Sequence, residues 1–70
     1  MYKLIATSNE EMRKYEGKQF ELQFAYGSLW VTDNSVPSSG FKTSEVRLDM
    51  EYNGLRVVVT QNSIYVFRKE

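Results

Sequence analysis

The chain has no cysteine and no histidine. The first absence excludes disulfides, thiol nucleophiles and thiolate metal sites, and the second removes the commonest metal ligand and general base. Lysine plus arginine and aspartate plus glutamate stand at nine each, so there is no net charge to draw in a polyanion or an anionic membrane. No apolar run is long enough to cross a bilayer, and residues 1–7, Met-Tyr-Lys-Leu-Ile-Ala-Thr, lack the apolar stretch of a signal peptide. These absences predict a cytoplasmic chain without metal, cofactor or membrane partner. Glycine-rich phosphate loops and EF-hand ladders are also missing, and a serine nucleophile would have no histidine to activate it, so nothing points to an enzyme.

What is present in quantity is aromatic: five tyrosines, four phenylalanines and one tryptophan in 70 residues. One domain, 1–70, is all this length supports, with a stability of roughly 3 to 5 kcal/mol, and large rings supply the buried area that a short chain otherwise lacks. Asn53-Gly54 is a preferred pair for a two-residue type I′ turn. Placing it there puts Tyr52 opposite Leu55, Met50 opposite Val57 and Leu48 opposite Val59 on one face, with Glu51 opposite Arg56 on the other. A one-residue slip would swap the faces, so turn chemistry and apolar alternation support the same register.

Residues 2–6 read as a first strand. Ser8 and Glu11 form a capping-box pattern, predicting a short helix over 9–15 that ends before Gly17 and docks through Met12 and Tyr15. The period becomes two at 19–26, with Phe20, Leu22, Phe24 and Tyr26 on one face. Gly27-Ser28 then fits a type II′ turn that pairs Phe24 with Val31 and Ala25 with Trp30. Residues 33–40, Asp-Asn-Ser-Val-Pro-Ser-Ser-Gly, read as a loop. After the main hairpin, a turn at Gln61-Asn62 or Asn62-Ser63 leads into a last strand over 64–68. The expected fold is mainly β (α+β): a five- to six-stranded antiparallel meander sheet or small partly open barrel with one short N-terminal helix, the open or partly closed sheet being favoured.

This alternation assigns Phe24, Leu48, Met50, Val57, Ile64 and Val66 to the core face and leaves Trp30, Val58, Tyr65 and Phe67 on the reverse. Two readings of that reverse patch stand side by side. Leu4, Met12 and Tyr15 can cover it as ordinary core, or it can be a protein-binding surface, since tryptophan and tyrosine make good anchors. The register, with Val46 opposite Gln61, also brings Thr43 and Ser44 to the sheet end where Asn62 and Ser63 turn. Hydroxyls and amides there satisfy backbone groups unless they bind something. Asp49 and Glu51 share a strand face beside Arg47 and Arg56, as in a solvated charge ladder.

With Thr43-Ser44-x-Val46 and Thr60-x-Asn62-Ser63-x-Tyr65 laid out, the C-terminal half resembles short phage and prophage proteins of Gram-positive bacteria. Those often carry a Thr-Ser-x-Val segment and a Thr-x-Asn-Ser-x-Tyr ending; Glu45 departs from the proline of that pattern. The resemblance implies an accessory protein that binds and modulates a host factor, host defence included. The functional expectation is a non-enzymatic protein-binding module whose partner is another protein or a second copy as a homodimer. Alternatives are a small β-barrel that binds single-stranded nucleic acid by base stacking, disfavoured by the scattered cations, and a structural or assembly subunit.

Overall fold

The computed structural model describes residues 1–33 and 40–70, so most of the 33–40 loop lies outside the described residues. The described chain forms β1 (Tyr2–Thr7), a 3-10 helix η1 (Glu10–Tyr15), β2 (Gln19–Ala25), β3 (Ser28–Thr32), β4 (Gly40–Tyr52), β5 (Leu55–Thr60) and β6 (Ile64–Lys69). Each strand pairs antiparallel with the next, and β1 also pairs with β6. The meander therefore closes into a ring, where the sequence favoured an open or partly closed sheet. The β1–β2 seam is narrow, with only Tyr2 opposite Phe20 and Lys3 opposite Gln19.

The β4–β5 hairpin has the register written from sequence: Tyr52–Leu55, Glu51–Arg56, Met50–Val57 and Leu48–Val59. Asn53 and Gly54, at φ 51° and 79°, adopt the left-handed conformation that a type I′ turn requires. Of the two turns allowed between β5 and β6, Gln61-Asn62 is formed, with the Thr60 N–H donating to the Ser63 carbonyl at 2.8 Å.

The β2–β3 turn differs from expectation. Ala25 lies opposite Ser28 and Phe24 opposite Leu29, so Tyr26 and Gly27 are the central pair. The displacement is two residues, so the paired residues keep their faces while Tyr26 leaves the strand for the turn. It puts Tyr26 at φ 54°, a conformation unfavourable for a side chain of its size, while leaving the ring 96% exposed. Tyr26→Asn, which restores a preferred turn pair, is expected to raise stability by roughly 1 kcal/mol, read as a higher urea midpoint. An unchanged or lower midpoint would show that the backbone there is not strained.

The expected helix over 9–15 is a six-residue 3-10 helix, too short to gain from α-helical propagation. Asn9 caps it in place of Ser8, its Oδ1 accepting from the Glu11 N–H at 3.0 Å. Ser8 Oγ instead accepts from the Ile64 N–H at 2.9 Å, tying the helix entry to β6. Met12 and Tyr15 pack against the core as expected, the Tyr15 ring lying 5.8 Å from Phe20 and 5.2 Å from Phe41.

Leu4, Phe20, Leu29, Val31, Val58, Tyr65 and Phe67 fill the ring, none more than 3% exposed. Phe20, Leu22, Leu29 and Val31 face the core as expected, whereas Phe24 and Tyr26, assigned to the same face, lie at the ring mouth and in the turn and are exposed, and the faces expected for β4 to β6 are inverted. Val58, Tyr65 and Phe67 point inward, while Leu48, Met50 and Ile64, assigned to the core from sequence, stand about half exposed outside. A β-bulge at Arg47 reverses the alternation on β4. Val46 sits opposite Thr60, not Gln61, and the next pair is Leu48–Val59, so Val46 packs on the core and Leu48 faces out. A second irregularity at Ile5 acts the same way, with Leu4 inside and Ala6 beyond it in the outward row of Val66. Volume explains the choice of face. A narrow ring must be filled by side chains, and the rings of Tyr65 and Phe67 fill space that Ile64 and Val66 would leave empty.

Candidate docking surface

Turning Tyr65 and Phe67 inward leaves the opposite face of the same strands outside, and that face is also apolar. Met50, Val57, Val66 and Ala6 form one cross-strand row, and Leu48, Val59 and Ile64 form the next. Tyr52 and Leu55 begin a third row that ends in Arg68 and Lys3. The first two rows contain no charged residue. Leu48 is 47% exposed, Met50 52%, Tyr52 74% and Ile64 45%. Scattered exposed hydrophobics are ordinary on a folded protein, but these form contiguous rows on the solvent side of an antiparallel sheet.

The surface named from sequence is not one surface. Val58, Tyr65 and Phe67 are buried in the ring, where Leu4 joins them and Met12 and Tyr15 cover the cluster. That corresponds to the first of the two readings of the patch. Trp30 lies on the other side of the wall, in the outward row Gln23–Trp30–Lys42. It is 38% exposed, its Nε1 donates to the Ala25 carbonyl at 3.3 Å, and Lys42 Nζ stands 5.1 Å from the ring centroid. A lone half-exposed tryptophan among polar neighbours does not form a patch. The residues that do form one were assigned to the core because β5 and β6 are apolar on both faces. Side-chain volume was the available signal, since the larger side chains belong where a narrow ring must be filled.

Ser44, Asn62 and Ser63 are brought together at one end, as their spacing suggested, with Thr60 among them, while the Thr43 hydroxyl bonds across to β3 instead. Ser44 Oγ donates to Thr60 Oγ1 at 3.0 Å and accepts from the Asn62 N–H at 3.2 Å. Thr60 Oγ1 also accepts from the Ser63 N–H at 3.1 Å, and Thr43 Oγ1 accepts from the Leu29 N–H at 3.0 Å. Among the described residues no buried side-chain polar atom lacks a partner, so these hydroxyls are engaged in closing the Gln61-Asn62 turn and in joining β4 to β3.

Asp49, Glu51 and Arg56 were expected on a solvated face. Asp49 and Glu51 are exposed as expected and Arg56 is half-buried; by register they stand at the ring mouth, on the strand side that Val58 and Phe67 occupy further in. Arg56 Nε and Nη2 donate to the two carboxylate oxygens of Asp49 at 2.9 and 2.8 Å. The guanidinium lies 4.7 Å from the Phe24 ring centroid and 5.7 Å from that of Tyr2. The Tyr2 hydroxyl accepts from Arg56 Nη1 at 3.4 Å and donates to Glu51 Oε1 at 3.3 Å. Hydrogen bonds from Arg56 hold the Asp49 carboxyl below its ordinary value, and those to Asp49 hold the guanidinium above its own. The cluster is a bidentate pair at the ring mouth: the arginine gives one hydrogen bond to each carboxylate oxygen and lies against both rings. No group of three or more acidic residues that could hold a metal occurs among the described residues. No described helix is long and apolar enough to cross a membrane.

Fold and surface together define a small six-stranded ring with a filled interior and one apolar outer face. Compared with protein families, curated proteins and solved structures, the chain matches none.

Proposed function

We propose that this chain is a non-enzymatic protein-binding module and that its docking surface is the outer face of β4 to β6. The observation that carries the reading is the pair of uncharged rows through Met50 and Leu48, exposed on strands whose other face already forms the core. Removing such a surface from water is favourable by about 25 cal/mol per Å² of apolar area, and a protein partner supplies the complementary apolar surface. The sharper version, a phage or prophage accessory protein that binds and modulates a host factor in the host cytoplasm, rests on the resemblance of Thr43-Ser44-x-Val46 and Thr60-x-Asn62-Ser63-x-Tyr65.

The test compares wild type with Met50→Lys as immobilised baits in host lysate, followed by titration of the purified candidate partner. A host protein that binds wild type stoichiometrically and loses about 30-fold or more in affinity for Met50→Lys supports the proposal. Equal retention by both baits moves docking off this face, and capture of single-stranded oligonucleotide in its place supports the nucleic-acid alternative.

A further inference from the structure

The second half of β4 overhangs its neighbour. Strand β3 reaches Ser28, opposite Glu45, and the Val46 N–H donates to the Gly27 carbonyl at 2.7 Å just beyond it. From there to its end β4 pairs with β5 alone, and every residue of 47–52 is exposed. Tyr52–Leu55 closes a two-residue turn, so Tyr52, Met50 and Leu48 use their backbone groups on β5. The alternation of an antiparallel ladder then points the N–H and C=O groups of Asp49 and Glu51 the other way. Among the described residues those four groups have no backbone partner.

We infer that this edge takes up an extended segment of a partner protein as an added strand along residues 48–52, with a lysine or arginine opposite Glu51 and apolar residues on either side of it. The inference rests on the reading of the chain as a protein-binding module. Unpaired N–H and C=O groups in strand alternation are satisfied together only by another extended backbone, which is what defines the class of occupant. The bulge at Arg47 and the Asn53-Gly54 turn bound the run at its two ends, so the added ladder is short.

Charge separates a foreign strand from a second copy. Symmetric antiparallel pairing of two β4 edges, centred on Asp49, Met50 or Glu51, sets acid directly opposite acid in every case, and like charges so placed are destabilising. A basic residue on the added strand removes that conflict. Arg56 already engages Asp49, and Arg47 engages Glu45. Among the described residues Glu51 has no ion pair and is bonded by the Tyr2 hydroxyl at 3.3 Å, so it is the carboxylate left for a partner's cation. Met50 and Tyr52 stand exposed on the other side of the strand, where apolar residues of the added strand pair with them.

The probe is a capped heptapeptide alternating valine and lysine, titrated to millimolar concentration into isotope-labelled protein and followed by NMR, with a valine–glutamate heptapeptide as its counterpart. The expected result is saturable binding of the valine–lysine peptide that shifts the Asp49 and Glu51 amide resonances and slows their hydrogen exchange. The valine–glutamate peptide is expected to bind about 5-fold more weakly or worse. Glu51→Lys reverses the order of the two peptides. Glu51→Pro removes an N–H that the β4–β5 ladder does not use, and is expected to abolish binding while circular dichroism shows the fold retained. No binding of either peptide, equal affinity for both, shifts that leave the Asp49 and Glu51 amides unmoved, or an order that Glu51→Lys does not reverse overturns the inference. So does binding retained by Glu51→Pro; should that variant unfold, Glu51→Lys decides alone. In each overturning case a host protein whose binding depends on Met50 leaves the docking face standing, and without one both readings fall.

Discussion

Phe67→Ala is expected to destabilise the fold by about 3 to 5 kcal/mol, enough to unfold a domain of this size at ambient temperature. Phe67 has no solvent exposure, stacks 6.4 Å from Tyr65, and sits beside Leu4 and Arg56 on the neighbouring strands, so truncation removes a full ring from an interior with nothing to refill it. Met50→Ala is the matched control. Its side chain is half exposed in a face that the monomer does not cover, and its loss is expected to cost no more than about 1 kcal/mol in the monomer. Urea denaturation followed by circular dichroism at dilute protein measures both. If Met50→Ala cost as much as Phe67→Ala, the inward and outward faces of β4 to β6 would be the reverse of those described.

The second large effect is expected at the start of β4. Gly40 has φ 132°, and a Cβ placed on it would come within 2.1 Å of the Val31 carbonyl oxygen and 3.1 Å of Thr32 Cα. Both are backbone atoms of the paired strand, so no rotamer change relieves the overlap. Gly40→Ala is therefore expected to cost about 2 to 3 kcal/mol and to loosen the pairs Thr32–Gly40 and Val31–Phe41. Loosening there also displaces Phe41, whose ring links Phe20, Tyr15 and Tyr65. The readouts are the denaturation midpoint and the hydrogen-exchange protection of the Val31 and Phe41 amides. An unshifted midpoint with full protection would show that the two backbones are not in close contact.

Local rules carried the reading of this chain furthest where one interaction dominated. Asn53-Gly54 set the β4–β5 register because few residue pairs accept two positive φ values in succession, and Tyr52–Leu55 to Leu48–Val59 follow from it. The meeting of Ser44 with Asn62 and Ser63 was legible for the same reason, since the hairpin register brings those segments to one end, while Thr43 turned to β3. The reading went wrong where two local choices were close in free energy. Gly27 serves in a turn with Ser28 or with Tyr26, and the second won because it leaves Phe24 opposite Leu29 at a cost in strain on an exposed tyrosine. The apolar outer face was missed for a related reason. Val57 and Val59 alternate with Val58, and Ile64 and Val66 with Tyr65 and Phe67, so either face of β5 and β6 could have been buried. The charges at Asp49, Glu51 and Arg56 then misled: they are solvated as they looked, but they stand at the ring mouth on the strand side that turns inward, with Arg56 paired to Asp49 and Glu51 bonded to the Tyr2 hydroxyl.

By itself the amino-acid sequence determined the class of object: a neutral, histidine- and cysteine-free chain whose period-two patterning and turn pairs specify an antiparallel β meander with one short helical segment. These are properties of neighbouring residues and of pairs joined by a tight turn, and they act before the chain has any global shape. Which face of that meander became the interior was decided only by ring closure. A bulge at Arg47 and another at Ile5 reverse the alternation midway along two strands, and their benefit exists only once β6 meets β1 and the enclosed space must be filled. The long-range packing of Phe20, Tyr65 and Phe67 meets that demand, turning Leu48, Met50 and Ile64 outward as the surface through which this protein is proposed to act.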